Sequence, residues 1–190
     1  KDVLKLLLKT HIGNNKVHPN IEVAKFIHQR LLEETESTII CLLLQTIADV
    51  TCEKEFNLKK LNDTFDFSDL FNIFQTNNDT CEKLVNVLYS LVLRQFSEST
   101  NLLISVLKGK ISENSAAKLS SILSEGFILE VFDISENNMI EFYDFFVQKP
   151  INLISGLLSK YGSFRELFIR LYKVSGNYQN KLFTHLYKAI

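Results

Sequence analysis

The chain has few of the residues that end helices. It holds two prolines and six glycines in 190 residues, with one methionine and no tryptophan. Pro19 and Pro150 both sit where a helix would begin, in the first turn, where a missing N–H does no harm. Long apolar runs are also missing. The longest is six residues, Ile39 to Leu44, and a spanning helix needs about 20. The cysteines, Cys41, Cys52 and Cys81, form an odd set with no CxxC pair. Secreted frameworks use even counts, so the expected setting is intracellular and reducing, with cytoplasm and nucleus not distinguished. Cys41 reads as a core residue. The chain shows no GxxxxGK[ST], GxGxxG or GxSxG. Nucleotide-driven chemistry and serine hydrolysis therefore have no motif, and a non-enzymatic role is expected. Net charge is −1, which argues against a chain built as a whole to trap polyanions. The sequons at Asn62 and Asn78 are short enough to arise by chance.

Apolar residues recur at three- and four-residue spacing almost from end to end, which predicts an all-α chain. The segments are about Asp2–Ile12, Pro19–Glu34, Glu36–Val50, Asn57–Asn62, Asp66–Phe74, Asp79–Phe96, Ser99–Lys108 and Ser112–Ser124. Gly126 reads as a break before a short piece, Phe127–Phe132. Glu136–Val147, Ile151–Tyr161, Phe164–Val174 and Tyr178–Ala189 complete the set. Two segments, Glu36–Val50 and Asp79–Phe96, are apolar around most of their circumference. A helix of that kind must be buried on most sides.

Taken in pairs, the segments recur roughly every 30 to 45 residues, the spacing of two-helix repeats. In architecture the chain resembles HEAT and armadillo proteins. That resemblance implies a solenoid-like array of antiparallel helix pairs and a scaffold or adaptor role in protein–protein interaction. A compact multi-helix bundle is the alternative. The 190 residues read as one domain. Because the first residue is lysine, a piece of a longer polypeptide is expected.

Charge is segregated late in the chain. From Ser112 to Gln148 there are seven acids and one base; from Lys149 to Ile190, seven bases and one acid. At 100° per residue, Arg165, Arg170 and Lys173 share one arc, and Phe164, Leu167, Phe168, Leu171 and Tyr172 the opposite one. Lys181, His185 and Lys188 cluster on one face of the last segment. Lys160, Arg165, Arg170, Lys173, Lys181 and Lys188 are therefore the candidate partner-binding residues. The expected partner is a protein with an acidic segment, with nucleic acid as the alternative. A plain solvated face is the competing reading.

The stretch Asp133-Ile-Ser-Glu-Asn-Asn-Met-Ile-Glu-Phe-Tyr-Asp144 resembles the calcium loop of EF-hand proteins. Asp133, Ser135 and Asn137 fall at positions one, three and five, the Met139 carbonyl at seven, Glu141 at nine and Asp144 at twelve. Asn138 stands where that family has glycine, and Asp144 where it has glutamate. The resemblance implies one hard cation held by Asp133, Ser135, Asn137 and Asp144, and a calcium-responsive regulator as a further alternative. An Asp/Ser/Asn helix cap explains the same residues without an ion. No cofactor is expected. His11, His18, His28 and His185 are scattered, with no metal-ligand spacing among them.

Overall fold

The computed structural model describes residues 1–12, 16–74, 78–135 and 137–174, with Gly176, Thr184 and Tyr187 beyond them. Among these residues the chain is mostly helical. It divides into two compact units, Lys1–Ser112 and Glu113–Ile190.

The first unit opens with α1 (Asp2–Leu7), then a hairpin of β1 (Lys9–Ile12) and β2 (Lys16–Pro19). The expected first helix, Asp2–Ile12, therefore stops at Leu7. The pairing is antiparallel, with Thr10 opposite His18 and Lys9 opposite Pro19. Thr10, Ile12 and Val17 supply β-branched residues, and three residues containing a glycine separate the strands, which is a hairpin signal. β2 also hooks a distant loop: Val17 N–H donates to Glu55 O at 3.0 Å, and Asn57 N–H to Val17 O at 2.8 Å. Pro19 ends β2 rather than starting a helix. The cap of α2 (Ile21–Glu33) is Asn20, whose side chain accepts from Val23 N–H.

α3 (Ser37–Thr51) follows after a short link in which the Glu34 carboxylate accepts from the Thr35 and Glu36 N–H groups and meets Arg30. Next come α4 (Leu58–Asn62), α5 (Phe67–Phe74), α6 (Asn78–Leu93) and α7 (Ser99–Lys108). Asp66 caps the start of α5 by accepting from Asp69 N–H. The most extensive helix contact of the unit is α3 against α6. Their apolar residues are spent there: Leu43, Leu44, Ile47, Val50, Leu84, Leu88 and Leu91 are all buried. Cys81 is buried but Cys41 only half-buried, so the core cysteine is Cys81; no disulfide joins the three.

Two buried hydroxyls cross the α3–α6 seam. Thr51 Oγ1 and Ser90 Oγ lie 2.6 Å apart, and each also donates to or shares a carbonyl of its own helix, so neither polar group is stranded. A second polar line runs Asn86–Gln45–Asp49–Lys1, joining α6, α3 and the start of the chain.

The second unit contains α8 (Glu113–Ile128), α9 (Met139–Gln148), α10 (Ile151–Lys160) and α11 (Gly162–Val174). Pro150 is the N-cap of α10 and its carbonyl accepts from Leu153 and Ile154. Phenylalanine builds the core: Phe142, Phe145, Phe146 and Phe164 are buried, with Phe145 and Phe146 centroids 4.9 Å apart and Phe146 to Phe168 5.5 Å.

Gly126 does not break α8. The helix runs through it to Ile128. Its missing side chain makes room for Phe132, whose ring occupies the place where a β-carbon would sit. The stop comes at Glu130, which takes the left-handed conformation (φ 54°) while Val131 N–H returns to Gly126 O at 2.9 Å. α6 ends the same way, with Gln95 at φ 52° and Phe96 N–H donating to Leu91 O at 3.0 Å. Both are C-caps normally built on glycine. Tyr178–Ala189, the expected last helix, lies outside the described residues apart from Thr184 and Tyr187.

Candidate interaction surface

α11 buries one stripe, Phe164, Leu167 and Leu171, with Phe168 half-buried beside it, and turns Arg165, Ile169, Arg170, Tyr172 and Lys173 outward. Four of the six predicted partner-binding residues lie on or beside it, and each has a definite situation.

Lys160 closes α10, and its Nζ lies 2.5 Å from Glu113 Oε1 in the first turn of α8. Each charge also sits at the helix end whose dipole favours it. The hydrogen bond from Lys160 holds the Glu113 carboxyl below its ordinary range, and Glu113 pushes the Lys160 ammonium up. Arg165 Nη1 donates to the Leu158 and Ser159 carbonyls at 2.6 and 3.0 Å, which closes the open end of α10. Arg170 Nε donates to Glu166 Oε1, one turn back, at 2.8 Å. Its guanidinium lies 4.4 Å from the centroid of Phe127 on α8, a cation–π contact. Lys173 is exposed and has no side-chain partner among the described residues. Lys181, Lys188 and His185 lie outside the described residues.

The basic tract is thus divided: Lys160, Arg165 and Arg170 hold the unit's own helices, and Lys173 has no side-chain partner among the described residues. Ile169, 45% exposed, falls between Arg165 and Lys173 at four-residue spacing, and Tyr172 is exposed beside them. The outward face is therefore a mixed stripe of Arg165, Ile169 and Lys173 flanked by Tyr172, not a purely cationic one. The helical wheel contains this signal, since Ile169 lies at an angle midway between the two bases. Tyr172, assigned to the core arc from the sequence, is at the core's edge. Phe127 as a seat for Arg170 has no signature in the sequence, because it depends on how α8 meets α11.

At the loop before α9, Asp133 Oδ2 accepts from Ser135 Oγ and Asn138 Nδ2, both at 3.1 Å. Asn138 Nδ2 also donates to the Asp133 carbonyl. Asn137 is exposed. α9 already begins at Met139, so Glu141 and Asp144 are helical residues and the Met139 carbonyl points along the helix axis. Among the described residues, no three His, Cys, Asp or Glu side chains converge as a metal set would. His18 Nδ1 lies 3.4 Å from Asn57 Nδ2, and His28 packs edge-on against Phe65 with its Nε2 buried. No described helix is long and apolar enough to cross a membrane.

Comparison with protein families, curated proteins and solved structures finds no match to this chain.

Proposed function

We propose that this chain is a non-enzymatic interaction module and that the outward stripe of α11 docks a protein segment carrying acidic and apolar residues. The observation that carries the reading is the pairing of exposed Ile169 with free Lys173 on a helix whose opposite face is committed to the core. Exposed apolar residues ringed by charge are what interaction surfaces present. The cation draws an acidic partner and the isoleucine gives it a desolvated anchor. Lys181 and Lys188 extend the same positive tract in the sequence.

We also read the helices as stacked repeat pairs of the HEAT and armadillo kind. Support comes from α3 and α6, which begin at residues 37 and 78, 41 apart, and pack on one another as equivalent helices of successive repeats do.

The test is binding of a labelled peptide that alternates glutamate with leucine and phenylalanine, followed by fluorescence anisotropy. Saturable binding that weakens between low salt and about 0.5 M salt supports the reading, since screening removes the charge contribution. Tighter capture of duplex DNA than of the peptide overturns it in favour of a nucleic-acid surface.

A further inference from the structure

A cleft of about 510 Å³ opens in the first unit between the loop after α3 and the end of α6, lined by Lys54, Glu55, Phe56, Asn57, Leu58, Lys59 and Arg94. At its side the Arg94 guanidinium is fixed by main-chain carbonyls: Nη1 donates to Thr51 O at 3.2 Å and Glu53 O at 2.5 Å, and Nη2 to Phe56 O at 2.8 Å. These carbonyls engage three of its five N–H groups and do not neutralise it. Glu53 meets Arg94 through its carbonyl. Its carboxylate faces the other way, onto Lys9 at 2.7 Å and Lys5 at 3.1 Å. Lys54 and Lys59, both exposed on the cleft, form no ion pair among the described residues. The cleft therefore gathers three cations against one exposed carboxylate, Glu55. Elsewhere in the unit Lys1, Lys5, Lys9 and Arg30 do have carboxylate partners.

We infer that this cleft binds the phosphate group of a small phosphorylated ligand. A half-buried guanidinium, already held rigid and with no carboxylate partner among the described residues, is preorganised for a phosphate oxygen, and flexible lysines on the rim complete the charge. The volume lies within the range of small-ligand sites, about 300–1,000 Å³. Phe56 and Leu58 are buried behind the cleft, and the exposed side chains at its mouth are charged, Lys54, Glu55 and Lys59, so recognition centres on the anionic group. The site is independent of the α11 stripe.

The probes are inorganic phosphate and pyrophosphate, titrated into the full chain at constant ionic strength while amide NMR shifts are recorded. Saturable shifts centred on Lys54–Lys59 and Arg94 are expected with at least one probe, and pyrophosphate should bind more tightly if two cations are bridged. Lys54→Glu with Lys59→Glu, both at exposed positions, should keep the fold and weaken binding by at least about tenfold. Arg94→Lys should weaken it while keeping a cation in place. The inference is overturned if the shifts do not saturate, if they centre elsewhere, or if the double variant binds as well as the wild type.

Discussion

In the first unit, acids and bases interleave. Lys1, Lys5 and Lys9 fall at four-residue spacing and meet Asp49, near the end of α3, and Glu53, just after it, in a ladder that pins α1 and the hairpin. In the second, acids and bases are sorted into separate tracts and meet singly, as Lys160 does with Glu113 and Arg170 with Glu166. The first arrangement fastens an edge onto a deeply apolar helix pair. The second leaves charge over at the surface, where Lys173 and Ile169 sit together. A sorted charge tract is therefore not a map of a binding patch. Part of it is used in holding neighbouring helices, and only the remainder is open to a partner.

The comparison can be broken most forcefully at the core. Leu88→Ala and Leu43→Ala remove buried side chains from the α3–α6 seam and should each cost about 2–5 kcal/mol in denaturant unfolding. A loss under about 1 kcal/mol at both would show that this pair is not what the ladder is fastened to.

The second unit has its own packing constraint at Gly126. Gly126→Ala would gain helix propensity on an exposed helix, yet here the methyl meets the Phe132 ring. The expected net loss is about 1–3 kcal/mol. Phe132→Ala in the same chain should recover part of that loss. A Gly126→Ala chain that melts higher than the wild type would mean the ring moves away freely.

Acid separates the two charge arrangements. Burial alone would push the Asp49 and Glu53 carboxyls up, but hydrogen bonds from Lys1 and Gln45 to Asp49, and from Lys9 and Lys5 to Glu53, hold both below their ordinary values. A carboxyl whose pKa is lower folded than unfolded contributes stability that is present above the unfolded value. That contribution is lost as pH falls through the folded one. Stability should therefore decline below the ordinary carboxyl range, and Asp49→Asn with Glu53→Gln should flatten the decline. Glu113→Gln should flatten it less, because the Glu113–Lys160 pair is exposed and screened. An equal flattening by Glu113→Gln would remove the distinction between the units.

The smallest effect is expected where the two units agree. Gln95 and Glu130 occupy left-handed C-caps, a conformation that is costly for side chains and easy for glycine. Gln95→Gly and Glu130→Gly should each stabilise by about 0.5–1 kcal/mol in thermal unfolding, after the added freedom of the unfolded chain is subtracted. A loss at either position would assign its side chain a role beyond the cap.

The same positions show how far the sequence can be read. Apolar periodicity located α7 to the residue and α3 and α6 to within a few, because burial on one face or on all faces leaves a direct pattern. Helix ends were less legible. Gly126 looked like a stop and is a packing notch, while the stops at Gln95 and Glu130 carry no glycine to announce them. The hairpin was hidden inside an apparent helix, although Thr10, Ile12 and Val17 around a glycine-containing gap are strand chemistry. At the candidate surface the wheel separated bases from core. It did not show that Arg165 would cap α10, that Lys160 would reach Glu113 47 residues away, or that Arg170 would lie over Phe127. Those are tertiary facts, set by which helices meet.

The proposed docking stripe is the open remainder of the basic tract, Lys173 with Ile169, which the fold does not need. The direct measurement compares the Ile169→Ser, Lys173→Glu double variant with the wild type, recording the unfolding midpoint and the anisotropy of the acidic peptide on the same samples. The unfolding free energy should stay within about 0.5 kcal/mol of the wild type, as for exposed sites, and peptide affinity should fall at least about tenfold. A destabilised variant that still binds the peptide with wild-type affinity would contradict that reading.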